Sequence, residues 1–115
     1  MKTVTYCGSS AKDISNFDTE AKQRILRLLD MLRAALDLHP KDFKYMGIVG
    51  EGVYELRVRT SKQYRVFYVA KFREAIYVLH GFTKKSQHTS QRDIEIGTQR
   101  YRYIINHRGK NEKKI

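Results

Sequence analysis

A chain of 115 residues, 41% hydrophobic and 30% charged, can bury one modest core and leaves little room for a second. Its 23 Lys and Arg against 12 Asp and Glu leave a net charge of +11, which calls for an anionic partner, nucleic acid before a membrane surface. No run approaches the roughly 18 apolar residues of a membrane span, and the lone Cys7 excludes an internal disulfide.

The opening MKTVTYCGSS lacks the apolar run of a signal peptide, so a cytoplasmic protein is expected. Cys7 reads as a buried thiol rather than a nucleophile. No His/Cys spacing suits a metal and no Gly-rich loop suits a phosphate cofactor, so no metal and no cofactor are expected.

In chain order, Lys2 to Tyr6 reads as a short first strand, broken by Gly8, Ser9 and Ser10. Asp18 caps a helix, with Phe17 as a staple residue in front. Ala21, Ile25, Leu28, Leu29, Leu32, Ala35 and Leu36 form its apolar stripe. Pro40 ends the segment, leaving His39 as a helix-end residue. Lys41 to Gly52 reads as a connector too apolar to hang free, bent at its glycines.

Tyr54 to Arg59 alternates cleanly, with Tyr54, Leu56 and Val58 inward and Glu55, Arg57 and Arg59 outward. After a polar turn from Thr60 to Gln63, Tyr64 to Ala70 forms its antiparallel neighbour, with Arg65 as the only charge. A second polar turn, Lys71 to Glu74, leads to Ala75 to Phe82, apolar enough for a strand buried on both faces. Thr89 or Ser90 caps a final helix whose inner face carries Ile94, Thr98, Tyr101 and Ile105, joined by Gly97 and Ile104. The expected organisation is one domain over residues 1–108 and a short, basic, frayed tail over 109–115. The expected fold class is α/β (α+β): a small curved, mainly antiparallel sheet packed by an N-terminal and a C-terminal helix.

Arg57, Arg59 and Arg65 fall on adjacent strands. Alternate residues on one face lie about 7 Å apart, near the spacing of phosphates along a strand. Their forked guanidinium groups grip phosphate through paired hydrogen bonds. Lys62 in the turn and Lys84 and Lys85 after the third strand add charge. Tyr54, Tyr64, Tyr68, Tyr77 and Phe82 offer rings for unpaired bases, although most of the tyrosines read as core.

Such a surface could also cleave RNA. The 2′-OH must lose a proton, the phosphoryl oxygens must be stabilised, and the 5′ oxygen must gain a proton. Arginine serves the second need. His88 is the natural proton carrier, Lys84 or Lys85 beside other cations could move protons too, and Tyr68 could assist. Plainer readings stand beside these. Arg57 and Arg59 could be a solvated sheet face, Lys84 and Lys85 a solvated loop, and His88 a surface histidine. Arg65 reads equally as a phosphate contact or as a surface pair with Glu55. His80, in its apolar run, reads as a hydrogen-bonded core residue.

The hairpin YELRVR…YRVFYVAKF, the block HGFTKKSQ and the following RDIE together resemble the RelE/ParE toxin superfamily, and most closely the phage-derived HigB-type toxins of bacterial toxin–antitoxin modules. The resemblance runs from about Val4 to Tyr103. It implies a RelE-like α/β domain that cuts mRNA on the ribosome without a metal. It also implies a cognate antitoxin with a helix-turn-helix fold, for which the charge argues an acidic segment. Arg65 becomes a transition-state phosphate contact, Arg57 and Arg59 the basic residues of the preceding strand, and Lys84 and Lys85 the post-strand pair. At position 88 that branch more often carries lysine. The ParE branch supplies a rival, a non-enzymatic inhibitor of DNA gyrase, and a plain nucleic-acid-binding module is a third reading. On the cleavage reading, Arg65→Ala abolishes growth arrest and leaves folding intact.

Overall fold

A computed structural model describes residues 1–108; the expected tail at 109–115 lies outside the described residues. The first strand is β1 (Thr3–Tyr6). Two helices follow, α1 (Ser10–Ser15) and α2 (Thr19–Arg33). A single 3-10 turn, Pro40–Asp42, leads into β2 (Phe43–Tyr45). Then come β3 (Val53–Arg59), β4 (Gln63–Val69) and β5 (Ala75–Lys84), and α3 (Gln91–His107) closes the described chain. The fold is α+β, with one five-stranded sheet in the order β1-β5-β4-β3-β2. Only the β1–β5 pairing is parallel.

Strand pleat divides the sheet's residues between two faces. On one, Leu56, Val58, Tyr64, Val66, Tyr68, Ile76 and Val78 meet Ile14 and Phe17 and the α2 stripe of Ala21, Ile25, Leu28 and Leu29. Ala21, Ile25, Leu56, Val66 and Ile76 have no exposed surface. Each large side chain among them stabilises the fold by about 1.5–3 kcal/mol. Asp18 caps α2 as expected, accepting from the Ala21 N–H at 2.8 Å. The same carboxylate accepts from Thr60 Oγ at 2.5 Å and Ser61 Oγ at 3.2 Å, which pins the β3–β4 turn to the helix start.

Helix α2 stops well before Pro40. Ala35 adopts φ +57°, and the Leu36 N–H reaches the Met31 carbonyl at 2.9 Å, closing the helix end in a left-handed turn. Leu36 is accordingly exposed, although the stripe placed it inside. His39 accepts from the Lys41 N–H at 3.1 Å and so starts the 3-10 turn rather than ending a helix.

Two elements are absent from the sequence reading. Helix α1 spans only six residues and buries one large apolar side chain, Ile14, too little for a periodic signal. It lies beside β5 beyond the end of β1, where Ser10 Oγ donates to the Val78 carbonyl at 3.1 Å. Strand β2 has three residues inside the apolar connector, and only pairing with β3 defines it. In the rest of the connector Met46 and Val49 are buried as expected, while Ile48 is exposed.

Part of the second face is covered by α3, capped by Ser90, whose Oγ accepts from the Asp93 N–H at 3.1 Å. Here Val53, Phe67, Val69, Leu79, Phe82 and Ile104 form a smaller core. Gly97 lets the helix approach the sheet, since a Cβ there would lie 2.7 Å from the Phe67 ring and 3.0 Å from Val49. Ile105 was expected on this inner face and is 45% exposed, because Gly97 and Ile104 define the contact line. His80 is buried and lies 2.7 Å from Asp93 through Nε2, the hydrogen-bonded core role expected of it. Among the described residues, no helix is long and apolar enough to cross a membrane.

Candidate functional site

Helix α3 covers only part of its sheet face. The remainder carries the basic residues, and strand register brings them together. Arg57 on β3 stands opposite Arg65 on β4, and Arg65 stands opposite Phe82 on β5. Gln63 lies between Arg59 and Lys84 in the same way. Lys44 on β2 stands opposite Glu55. Lys44, Glu55, Arg57, Arg59, Arg65 and Lys84 therefore share one face.

The centre of this cluster is a carboxylate. Glu55 was expected in water, yet its side chain is 2% exposed. Its Oε1 lies 3.3 Å from Arg65 Nε and 3.9 Å from Arg57 Nε. Burial raises its pKa above the ordinary carboxylate value, while Arg65, Lys84, Arg57 and Lys44 pull the other way. Oε2 has no hydrogen-bond partner among the described residues.

Arg65 is 5% exposed. Its Nη1 donates to the Tyr64 carbonyl and its Nη2 to Gln63 Oε1, both at 3.0 Å. Burial lowers its pKa, opposed by Glu55. The Arg65–Glu55 contact is thus a buried ion pair and not the surface pair weighed from sequence. The guanidinium is engaged from within, which argues against the expectation that Arg65→Ala leaves folding intact. Removing one partner would leave the other's charge buried.

Arg57 is half-buried and Arg59 exposed, and both line a cleft of about 370 Å³ with Arg65, Arg24, Lys41, Asp42 and Gln63. Lys62 is exposed beside Lys84 and Lys85 in a neighbouring cleft of about 530 Å³. Lys84, Lys85 and His88 line a third cleft, about 470 Å³, at the start of α3. The pKa of Lys84 is lowered, by partial desolvation first and then by Arg65, Arg57 and Lys44, with Glu55 opposing. His88 is exposed, and its carbonyl accepts from Ser86 Oγ at 2.8 Å.

Tyr68 is not brought to this cluster. It faces α2 on the opposite side of the sheet, 3% exposed, and burial raises its pKa. Tyr64 and Phe82 are also buried, so none of these three rings is open to a base. Tyr54 packs edge-on to Tyr45 at 5.2 Å on the α2 side, and Tyr77 donates to Glu74 at 2.8 Å, remote from the arginines. Cys7 is half-buried with its thiol pKa raised by burial, and it lines a separate cavity between β1 and α3.

Sequence reasoning missed two members of the cluster. Lys44 sits on the unread strand β2. Glu55 follows the polar parity of β3, and only the pairing with buried Arg65 marks it as interior. Among the described residues, no group of three or more His, Cys, Asp or Glu side chains is placed to hold a metal.

No curated protein matches the chain. A family model does, over residues 12–102, which span all the site elements from α2 to α3. The chain belongs to the phage-derived, Gp49-like protein family (DUF891), a RelE-toxin-like family.

Proposed function

We propose that this chain is the toxin of a HigB-like toxin–antitoxin module, a metal-independent endoribonuclease that cuts mRNA on the ribosome. One observation carries the reading: Lys44, Arg57, Arg65 and Lys84 surround a single buried carboxylate on an open sheet face. That arrangement leaves a net positive, partly dry surface, where cations act more strongly on a phosphodiester than in water.

The residues divide the chemistry between them. Arg57 and Arg59, whose side chains reach the cleft, hold the scissile phosphate and take up charge developing on its non-bridging oxygens. Arg65, fixed by Gln63, Tyr64 and Glu55, contributes its field and holds the frame. The 2′-OH passes its proton to the neutral form of Lys84, whose lowered pKa enlarges that fraction at neutral pH. The O2′–P bond forms, the P–O5′ bond breaks, and His88 or Lys85 in the adjoining cleft protonates O5′. The products are a 2′,3′-cyclic phosphate and a 5′-hydroxyl. The rate rises with pH as Lys84 loses its proton and falls again once the acid at O5′ has lost its own, so the pH profile is bell-shaped. An antitoxin with an acidic segment would neutralise the toxin by covering this face.

The test is induction of the chain in cells, followed by mapping of new mRNA 5′ ends. New ends within translated messages are expected. Growth arrest with intact mRNA and a DNA-damage response would contradict cleavage and favour gyrase inhibition.

A further inference from the structure

The three basic clefts are not separate. The first and second share Arg59 and Gln63. The second and third share Thr83, Lys84 and Lys85. Together they form one groove across the ends of β3, β4 and β5. At one end stand Arg24, on α2, and Lys41, in the 3-10 turn. At the other stands Arg92, in the first turn of α3. Arg24 is fixed by donating to the Arg59 carbonyl at 2.9 Å, so the hairpin end and α2 move as one wall.

The lining is cationic and nearly free of rings. Two rings line the three clefts among the described residues: Phe82, which is buried, and the imidazole of His88, which is exposed at the far end. Two carboxylates also line the groove. Asp42 sits at the first end, and Asp93 is held by Ser90 and His80.

We propose that this groove binds a single extended RNA strand by its phosphates, with Lys41 and Arg92 as anchors on either side of the central cluster. The proposal rests on the ribonuclease reading for the identity of the strand and extends it to the footprint and the mode of recognition. Three strands at about 4.8 Å spacing and a flank on each side span on the order of four nucleotides. With no phenyl or phenol ring open to a base, and His88 the single exposed ring of the groove among the described residues, the grip falls on phosphates and carries little sequence preference. A duplex presents its phosphates on a stiff, wide cylinder and fits poorly across the strand ends.

The test uses 2′-O-methyl oligonucleotides, which lack the attacking hydroxyl and cannot be cleaved. Anisotropy titrations of the antitoxin-free chain are run over a salt series with Lys41→Gln, Arg92→Gln and the double variant. Both side chains are exposed, and an unchanged denaturation midpoint checks that the variants fold. Affinity should rise with length to a plateau on the order of four nucleotides. Each variant should lower the slope of log K against log salt by about 0.7, and the double variant by about 1.4. An unchanged slope in the double variant, or equal competition by a duplex, overturns the groove. Wild-type binding with these slopes but without mRNA cleavage removes the ribonuclease reading and supports the groove. Normal mRNA cleavage by a double variant with an unchanged slope does the reverse.

Discussion

One face of the sheet contains two regions that solve opposite problems. Under α3, Phe67, Val69, Leu79 and Ile104 make a dry contact that needs only shape. A short way along the same strands, beyond the helix, Glu55 and Arg65 are buried by their neighbours while Arg57 and Lys84 reach the surface, and the four must satisfy charge. The border falls inside β4, between Arg65 and Phe67. Both residues are buried, yet apolar packing holds one and a carboxylate and two oxygen acceptors hold the other. A helix that covers half a face thus leaves the other half to be stabilised internally, and its cations are fixed before any ligand arrives.

Substitutions at the border separate the two regimes. Phe67→Ala opens a cavity beneath Gly97 and should lower stability by about 3–5 kcal/mol, measured by denaturant unfolding. Arg65→Ala strands the Glu55 carboxylate and should cost about 3–5 kcal/mol, towards the low end because Glu55 can take up a proton. The double variant Arg65→Ala/Glu55→Gln should recover much of that loss. No recovery would mean that Arg65 acts by packing, as Phe67 does.

Glu55→Gln alone tests the sign of the charge term. Burial raises the Glu55 pKa, so the folded state binds the proton more tightly than the unfolded state. The resulting stability is full below the ordinary value of 4.5 and is lost as pH rises through the raised folded value. Glu55→Gln should flatten that decline, read from denaturation midpoints between mildly acid and neutral pH. A steeper decline in the variant would reverse the assignment.

The smallest effect belongs to a pair outside both regions. Arg108 donates to both Glu74 oxygens at 2.7 Å and holds that carboxyl at about 2. Its contribution is present above 4.5 and lost as pH falls towards 2. Both side chains are about one-third exposed, so solvent screens the pair. Arg108→Ala should therefore shift the midpoint little, and mainly loosen the last turn of α3 in hydrogen exchange.

Much of this contrast was legible in the chain. Alternation placed β3, apolar runs placed β4 and β5, and Asp18 and Ser90 gave the helix starts. The basic set was legible too, because Arg57, Arg59 and Arg65 fall on strands that one hairpin must pair, with Lys84 expected just past the third strand, which in fact runs on to include it. The parity of β3 could not say that Glu55 is dry, since burial there depends on Arg65 arriving from the next strand. Tyr68 was legible: it stands three residues from Arg65 on β4, so strand parity alone puts it on the opposite face, against the assisting role expected of it. The early end of α2 was hidden because Ala35 and Leu36 continue the apolar spacing, while the backbone turns left-handed at Ala35.

The decisive residue for RNA cleavage is Lys84. It lies in the open region and joins two of the clefts, and without it Glu55 keeps its direct contact with Arg65. Cleavage of mRNA on translating ribosomes by Lys84→Gln should fall by about 10²- to 10⁴-fold, with the denaturation midpoint unchanged. Cleavage at the wild-type rate by a folded Lys84→Gln protein would contradict the account.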